Sequence, residues 1–329
     1  MPALTIFTLI LALMLPSAAL AEPPEVDVEH IDFTGPAQKP GAQISGLAWH
    51  GDRLVMLPQY PDRVAPEEPP SLYSITRGEI ESFLDGDLIR PIAPEPIVFN
   101  DGGSAALVPG FQGYESIAFR GDRAYLTIEA MAENGTMSSW VVSGQMRRGG
   151  NALLLEQRTL AKIPLPAQIK NMGHEALAVG HGELLAIFEA GGQNVNPEPE
   201  AFQLLPDLSS GMAVAAPSVE YRLTDATSVA EDGTFYVLNY YYPGDKKLLS
   251  PGRDDLPYGS DPEGERHVER VLKFKAGRDG IELQGVALGF SLTETPRNWE
   301  GIARLPGRGF LVATDQHPET ILGFVPFRE

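Results

Sequence analysis

The stretch Glu115-Ser116-Ile117-Ala118-Phe119-Arg120-Gly121-Asp122-Arg123-Ala124-Tyr125-Leu126-Thr127-Ile128-Glu129 decides the fold. It reads as a short strand, a Gly-Asp turn and a longer apolar return strand, the signature of a tight β-hairpin. The same pattern recurs at Ser45-Gly46-Leu47-Ala48, Glu175-Ala176-Leu177-Ala178, Thr227-Ser228-Val229-Ala230 and Glu300-Gly301-Ile302-Ala303. Turn residues follow each one: Gly51-Asp52, His181-Gly182, Asp232-Gly233 and Pro306-Gly307. Self-similarity at a roughly constant spacing of about 50–75 residues marks a repeat architecture built from one supersecondary unit.

Further strand-like runs follow the hairpins. Ser71 to Ile75, Val141 to Ser143, Phe202 to Leu205 and Val271 to Lys275 read as third strands, and Val219 to Leu223 and Ile281 to Leu288 as fourth strands. Sustained helical periodicity is scarce, while Gly and Pro are frequent, so the expected class is all-β. The expected architecture is a single β-propeller of about five four-stranded blades, with six as the alternative if a degenerate blade hides in the first or fourth spacing. The last repeat ends on a third strand, Ile321 to Phe327, and an N-terminal strand from Val26 to Phe33 would supply its missing fourth, closing the ring and removing an exposed edge. Two segments look like excursions from this ring, Gly191 to Pro217 and the polar Pro243 to His267; each reads either as a solvated loop or as a lid.

Residues 1–21 read as a signal peptide. Leu4 to Leu15 is apolar, Pro16-Ser17 breaks the run, and Ala19-Leu20-Ala21 offers a small-x-small cleavage site before Glu22. The run is shorter than the roughly 20 residues that span a bilayer. The propeller domain would then be residues 22–329, expected to be soluble, without membrane insertion after cleavage, and periplasmic or secreted. With no cysteine there is neither disulfide nor thiolate chemistry, and the core alone must hold the fold. A formal net charge of −19 argues against nucleic acid as a partner, since phosphate neutralisation needs clustered Lys and Arg.

Residues equidistant from a hairpin turn face each other across the pair. Reflection about each turn places Glu115 opposite Glu129, Glu175 opposite Glu189 and Glu300 opposite Asp315. Two like charges about 5 Å apart repel by roughly 3 kcal/mol at an effective dielectric near 20. A bound cation, an arginine, a shared proton or displacement to solvent must offset this. Oxygen ligands without Cys or clustered His suit a hard ion such as Ca²⁺; the alternative is that these carboxylates cap backbone N–H groups as a repeated fold device. Tyr114, His174 and Trp299 each precede a repeat glutamate and are expected at the same rim, with Asn298, Gln316 and His317 close by and Asp225 just ahead of its repeat. His174 and His317 are the candidate general acids or bases, and Glu300 the third candidate catalytic group. The G-x-S-x-G, H-E-x-x-H and P-loop signatures are absent.

The motifs Ile44-Ser45-Gly46-Leu47-Ala48, Gly113-Tyr114-Glu115-Ser116-Ile117-Ala118 and Asn298-Trp299-Glu300-Gly301-Ile302-Ala303, with Leu311-Val312-Ala313-Thr314-Asp315, resemble the phytase-like family with esterase-like activity, a group of exported propeller proteins. The resemblance implies hydrolysis of a small phosphate or carboxylic ester at the central mouth, with Ca²⁺ as cofactor. In that picture Glu115, Glu175 and Glu300 hold the metal, Glu129, Glu189 and Asp315 complete its shell, and His174 or His317 moves protons. The rival expectation is a non-catalytic propeller that binds a small ligand, a glycan or an exported protein at its rim. Phytate carries dense negative charge, whereas this mouth reads as acidic and without a Lys/Arg cluster.

Overall fold

Five four-stranded antiparallel meanders make up the computed structural model, which describes residues 23–328 apart from 181 and 318. The expected signal peptide lies outside the described residues. Strands β1 (Glu25–Val26) and β2 (Glu29–His30) come first and join sheets completed later in the chain. The first meander is β3 (Ile44–His50), β4 (Arg53–Pro58), β5 (Ser71–Thr76) and β6 (Glu95–Asn100). The second is β7 (Phe111–Arg120), β8 (Arg123–Met131), β9 (Met137–Met146) and β10 (Ala152–Leu155), with β11 (Ala161–Ile163) also pairing on β9. The third is β12 (His174–Val179), β13 (Leu184–Phe188), β14 (Glu200–Leu204) and β15 (Gly211–Ala215). The fourth is β16 (Arg222–Ala226), β17 (Thr234–Tyr241), β18 (Val268–Gly277) and β19 (Gly280–Phe290). The fifth takes β20 (Trp299–Leu305), β21 (Gly309–Thr314) and β22 (Leu322–Pro326) from the C-terminal end and β2 from the N-terminal end.

The chain is therefore all-β, as its turn-rich sequence implies. Outer strands β6 and β10 pair in parallel, as do β15 and β19, so four meanders merge into two nine-stranded sheets while the fifth stands alone with four strands. The opening strands pack on one another in a cycle: β3 on β7, β7 on β12, β12 on β16, β16 on β20, and β20 back on β3. Each neighbouring pair of meanders encloses its own apolar layer, for example Leu126 and Ile128 against Val55 and Leu57, or Phe235 and Val237 against Ile187 and Leu185. Sheets buried on both faces need near-continuous apolar runs, and Leu184–Phe188 and Gly309–Thr314 are of that kind.

Several sequence expectations shift. The fourth meander opens at Arg222–Ala226, not at Thr227-Ser228-Val229-Ala230. Residues 219–223 are accordingly not the closing strand of the third meander, which is Gly211–Ala215. The segment Gly191 to Pro217 is no excursion, because it contributes β14 and β15. The length of the first spacing goes instead into helix α1 (Arg77–Leu84), started by a reciprocal Thr76–Glu79 capping box. The polar segment before β18 is held to the body by a buried pair, Asp254 with Arg270 at 2.9 Å, and by Tyr241 donating to the Gly264 carbonyl at 3.0 Å. It is therefore not a free solvated loop. The N-terminal strand that completes the fifth meander spans only Glu29–His30, paired with Phe324 and Gly323; Glu25–Val26 runs parallel to β19 instead. Among the described residues no helix is long and apolar enough to cross a membrane.

Candidate functional site

Every opening hairpin carries a β-bulge at the same repeat position. The ladder slips between Ile44 and Gly46, Tyr114 and Ser116, His174 and Ala176, Leu223 and Ala226, and Trp299 and Gly301. The extra residues are Ser45, Glu115, Glu175, the Thr224-Asp225 pair, and Glu300. A bulge re-aims a side chain away from the regular pleat; here Ser45, Glu115, Glu175 and Glu300 line one cleft, while Thr224 and Asp225 are fully buried. The simple hairpin reflection thus fails in detail, because Gly113, not Glu115, pairs with Glu129. Its carboxylates nevertheless meet at the cleft.

Two of the bulge residues also tie neighbouring strands together. Ser45 donates to the Tyr114 carbonyl at 2.7 Å, and Thr224 to the Trp299 carbonyl at 2.6 Å. That equivalence sets the fourth repeat at Thr224-Asp225-Ala226 and puts Asp225 where the other repeats hold Gly46, Ser116, Ala176 and Gly301. Glycine at two of these positions lets neighbouring opening strands approach closely. A Cβ on Gly301 would lie 2.7 Å from Leu47 Cγ, and one on Gly46 3.2 Å from the Ile117 nitrogen. Asp225 accepts from the N–H groups of Leu47 (3.3 Å), Ile302 (2.8 Å) and Ala226 (2.8 Å) and from the Ser116 hydroxyl (3.2 Å). Burial pushes its pKa well above the ordinary carboxyl value, and these donors pull against that push.

The cleft has a volume of about 900 Å³. Glu115, Glu129, Glu175, Glu300 and Asp315 line it, and Glu189 lies beneath. Oxygens of Glu129, Glu175 and Glu189 all fall within 4.8 Å of one another, and the Oε2 atom of each is buried without a hydrogen-bond partner. Glu175 adds, after Arg222, to what favours the charged form of Glu189 against its burial. Gln59 Nε2 holds Glu115 Oε1 at 3.1 Å, while Asn298 Nδ2 reaches Glu300 Oε1 at 2.8 Å and Asp315 Oδ2 at 3.5 Å. One cation answers this charge directly. Arg222 bonds Glu189 through Nη1 and Asp245 through Nε, the latter at 2.9 Å. Burial opposes the Arg222 charge, but the carboxylates of Glu189, Glu175 and Asp245 outweigh it and hold the guanidinium protonated.

One guanidinium cannot balance six carboxyls. Burial, then the neighbouring charges, pushes Glu115 up to about 8 and Glu129 up to about 9. Glu175 and Glu300 go well above the ordinary value for the same reasons, and Glu189 rises although Arg222 opposes it. Asp315 is pushed up to about 6, mainly by burial, with His317 acting the other way. Without a further cation the group sheds its charge by holding protons.

Of the two expected histidines, only His317 borders the cleft, exposed at its rim. His174 is 2% exposed, edge-on to Phe188, and faces a crevice beside Leu165, Pro166 and Phe202; burial drives it down to about 3, so it stays neutral. Tyr114 and Trp299 are likewise buried away from the rim. Each of these residues precedes a repeat glutamate, and successive strand residues point to opposite sides. The residue that sequence reasoning missed is Arg222; setting the fourth repeat three positions earlier would have placed it beside the carboxylates. Tyr60, Arg63, Tyr242 and Asp245 were missed too, and they reach the cleft from the turns and strand ends that rim it.

Gly113 keeps this wall in order. Its φ is 136°, and a Cβ there would sit 2.3 Å from Gln59 Cγ and 3.0 Å from Glu115 Oε1. Gly113→Ala is expected to cost about 1–3 kcal/mol through strain and overpacking, read as a lower urea midpoint at unchanged m-value.

No protein-family model matches the sequence, and no curated protein matches it. Solved structures do align with the fold. The soluble aldose sugar dehydrogenase of Escherichia coli in its apo-form matches at TM-score 0.45 and 14% identity, over 92% of this chain and 100% of that one. RS223-β-xylosidase matches at 0.48 and 11%, over 91% and 94%. The GH43 endo-arabinanase of Bacillus licheniformis matches at 0.47 and 10%, over 91% and 97%. At such scores these likenesses carry no inference about the activity of this chain.

Proposed function

We propose that the five meanders form a single five-bladed β-propeller whose central cleft is a divalent-cation site, with Ca²⁺ as the cation, that hydrolyses phosphate or other small esters. The cyclic packing of β3, β7, β12, β16 and β20 supports the ring. One observation carries the site: three buried carboxylate oxygens without partners, on Glu129, Glu175 and Glu189, in a group tight enough to hold one ion. A hard cation with oxygen ligands suits that set. When bound, the ion supplies Lewis-acid polarisation of the ester and a more acidic water. Glu115 and Glu300, oriented by Gln59 and Asn298, extend the ligand set towards the open cleft. Asp315 and His317 stand at the rim, where a leaving group would exit, and are assigned the proton transfers there. The phytase-like motifs and the apolar leader support an exported ester hydrolase.

A second reading, a binding module without turnover, is favoured by the retreat of His174 from the cleft, which leaves His317 as the one histidine bordering it among the described residues. The deciding experiment uses the mature chain stripped with EDTA. Added Ca²⁺ at about a hundred times its Kd should contribute about 2.7 kcal/mol, a rise of roughly 4 °C in Tm for a chain of this length. Glu175→Gln should abolish that rise, and Glu300→Gln should abolish hydrolysis of p-nitrophenyl phosphate or p-nitrophenyl acetate while the protein stays folded. A flat melting temperature would sink the cation site; a cation-dependent rise without turnover of either ester would leave the binding module.

A further inference from the structure

The uncharged part of the cleft wall has its own chemistry. Amide side chains line it between the carboxylates, and two of them, Gln43 and Asn171, sit on left-handed backbone with φ of 46° and 57°. A glutamine in that region costs about 1 kcal/mol over glycine, so the backbone at Gln43 points to a use for its side chain, whereas asparagine adopts the same region readily. Neither amide has a hydrogen-bond partner among the described residues, and both face the cleft. Gln112 adds a buried Oε1 that is also without a partner. No lysine lines the cleft. Its two arginines are engaged, Arg222 by Glu189 and Asp245, and Arg63 stacked 3.6 Å over the Tyr60 ring. At the mouth Tyr242 is 49% exposed, an unusual state for a large ring.

We propose that the cleft takes a neutral, hydroxyl-rich ligand, a sugar or linear polyol, and that Gln43 and Asn171 read its hydroxyl groups. A hydroxyl both donates and accepts, and an amide answers both roles, whereas a carboxylate answers only the donor. A densely anionic ligand would need several free donors, and the cleft sets six carboxyls against the single guanidinium of Arg63, since Glu189 and Asp245 occupy Arg222. The Tyr242 face suits the apolar C–H side of such a ligand, with its hydroxyls turned to the polar wall. A volume near 900 Å³ is at the upper end for small-molecule sites, enough for more than one sugar ring. This inference rests on the ester-hydrolase reading only in naming the alcohol half of the ester; the binding itself stands apart from turnover.

The test is calorimetric titration of the mature, Ca²⁺-supplied protein with maltotriose and with mannitol, which separate a ring ligand from a linear one. At least one should bind, and Gln43→Gly and Asn171→Gly should each weaken it about tenfold. Because glycine relaxes both backbones, Tm should stay level or rise, so lost affinity cannot be ascribed to lost folding. Gln43→Asn, which keeps a shorter amide on backbone that Asn tolerates, should fall between. Failure of both probes to bind at millimolar concentration, or equal binding to wild type and both glycine variants, overturns the inference. Binding of maltotriose or mannitol without turnover of either p-nitrophenyl ester would sink the hydrolase reading and leave this one standing.

Discussion

Asp225→Ala is expected to be the most destabilising single change in the molecule outside the apolar layers. Asp225 gathers three backbone N–H groups and one hydroxyl from four parts of the chain: Leu47, Ser116, Ile302 and its own neighbour Ala226. Alanine would leave three buried N–H donors without an acceptor, each costing about 1–3 kcal/mol, and an unfilled space beside them. A loss of about 4 kcal/mol or more follows, seen as a fall in Tm of roughly 6 °C or more. Asp225→Asn keeps the volume but turns one acceptor into an NH₂ that faces donors, so it should recover only part of the loss. A variant as stable as wild type would show that the four donors find other partners and that Asp225 does not join the repeats.

The second large effect is a reversal in pH dependence. Burial and mutual repulsion raise Glu115 to about 8 and Glu129 to about 9 from an ordinary 4.5. A carboxyl whose pKa is higher folded than unfolded binds more protons in the native state, so stability falls as pH rises from the unfolded value through the folded one. In EDTA the protein should thus be most stable near pH 4–5 and lose on the order of a few kcal/mol by pH 9, a drop of roughly 3–8 °C. Ca²⁺ competes with protons for the same oxygens, so its stabilisation should grow over the same window and flatten or invert the trend. In EDTA, Glu129→Gln should melt higher than wild type at pH 8; with Ca²⁺ it should melt lower. Melting curves over pH 4–9 under both conditions check this. A metal-free Tm that climbs with pH would contradict the protonated cluster.

The repeat was legible because four of the five opening strands keep a small-apolar-Ala run before a turn, and that periodicity located those four. The opening strand of the fourth meander was misplaced because an aspartate stands at its small position. The Ser228-Val229-Ala230 run nearby mimics the motif better than Thr224-Asp225-Ala226 does, and with that shift Arg222 left the candidate set. The hairpin reflection chose carboxylates that converge, yet it assumed an unbroken ladder. One extra residue per bulge is invisible to a count from the turn, since a bulge is a backbone choice that no single residue type announces. His174 shows the opposite error: being next to Glu175 in sequence puts it on the far side of the strand.

Strand β2 is short, but it binds the two ends of the chain. Glu29 and His30 pair with Phe324 and Gly323, and the Ile31 N–H reaches the Leu322 carbonyl at 2.8 Å. The last sheet therefore stays one strand short until the ends meet across nearly the whole sequence. Contacts so distant in the chain slow folding, although the entropy of closing the loop grows only gently with its length. Until that encounter β22 keeps a bare edge open to other chains. The early fate of each molecule thus becomes a race between its own N-terminus and a neighbour for the same row of backbone groups, and dilution favours the former.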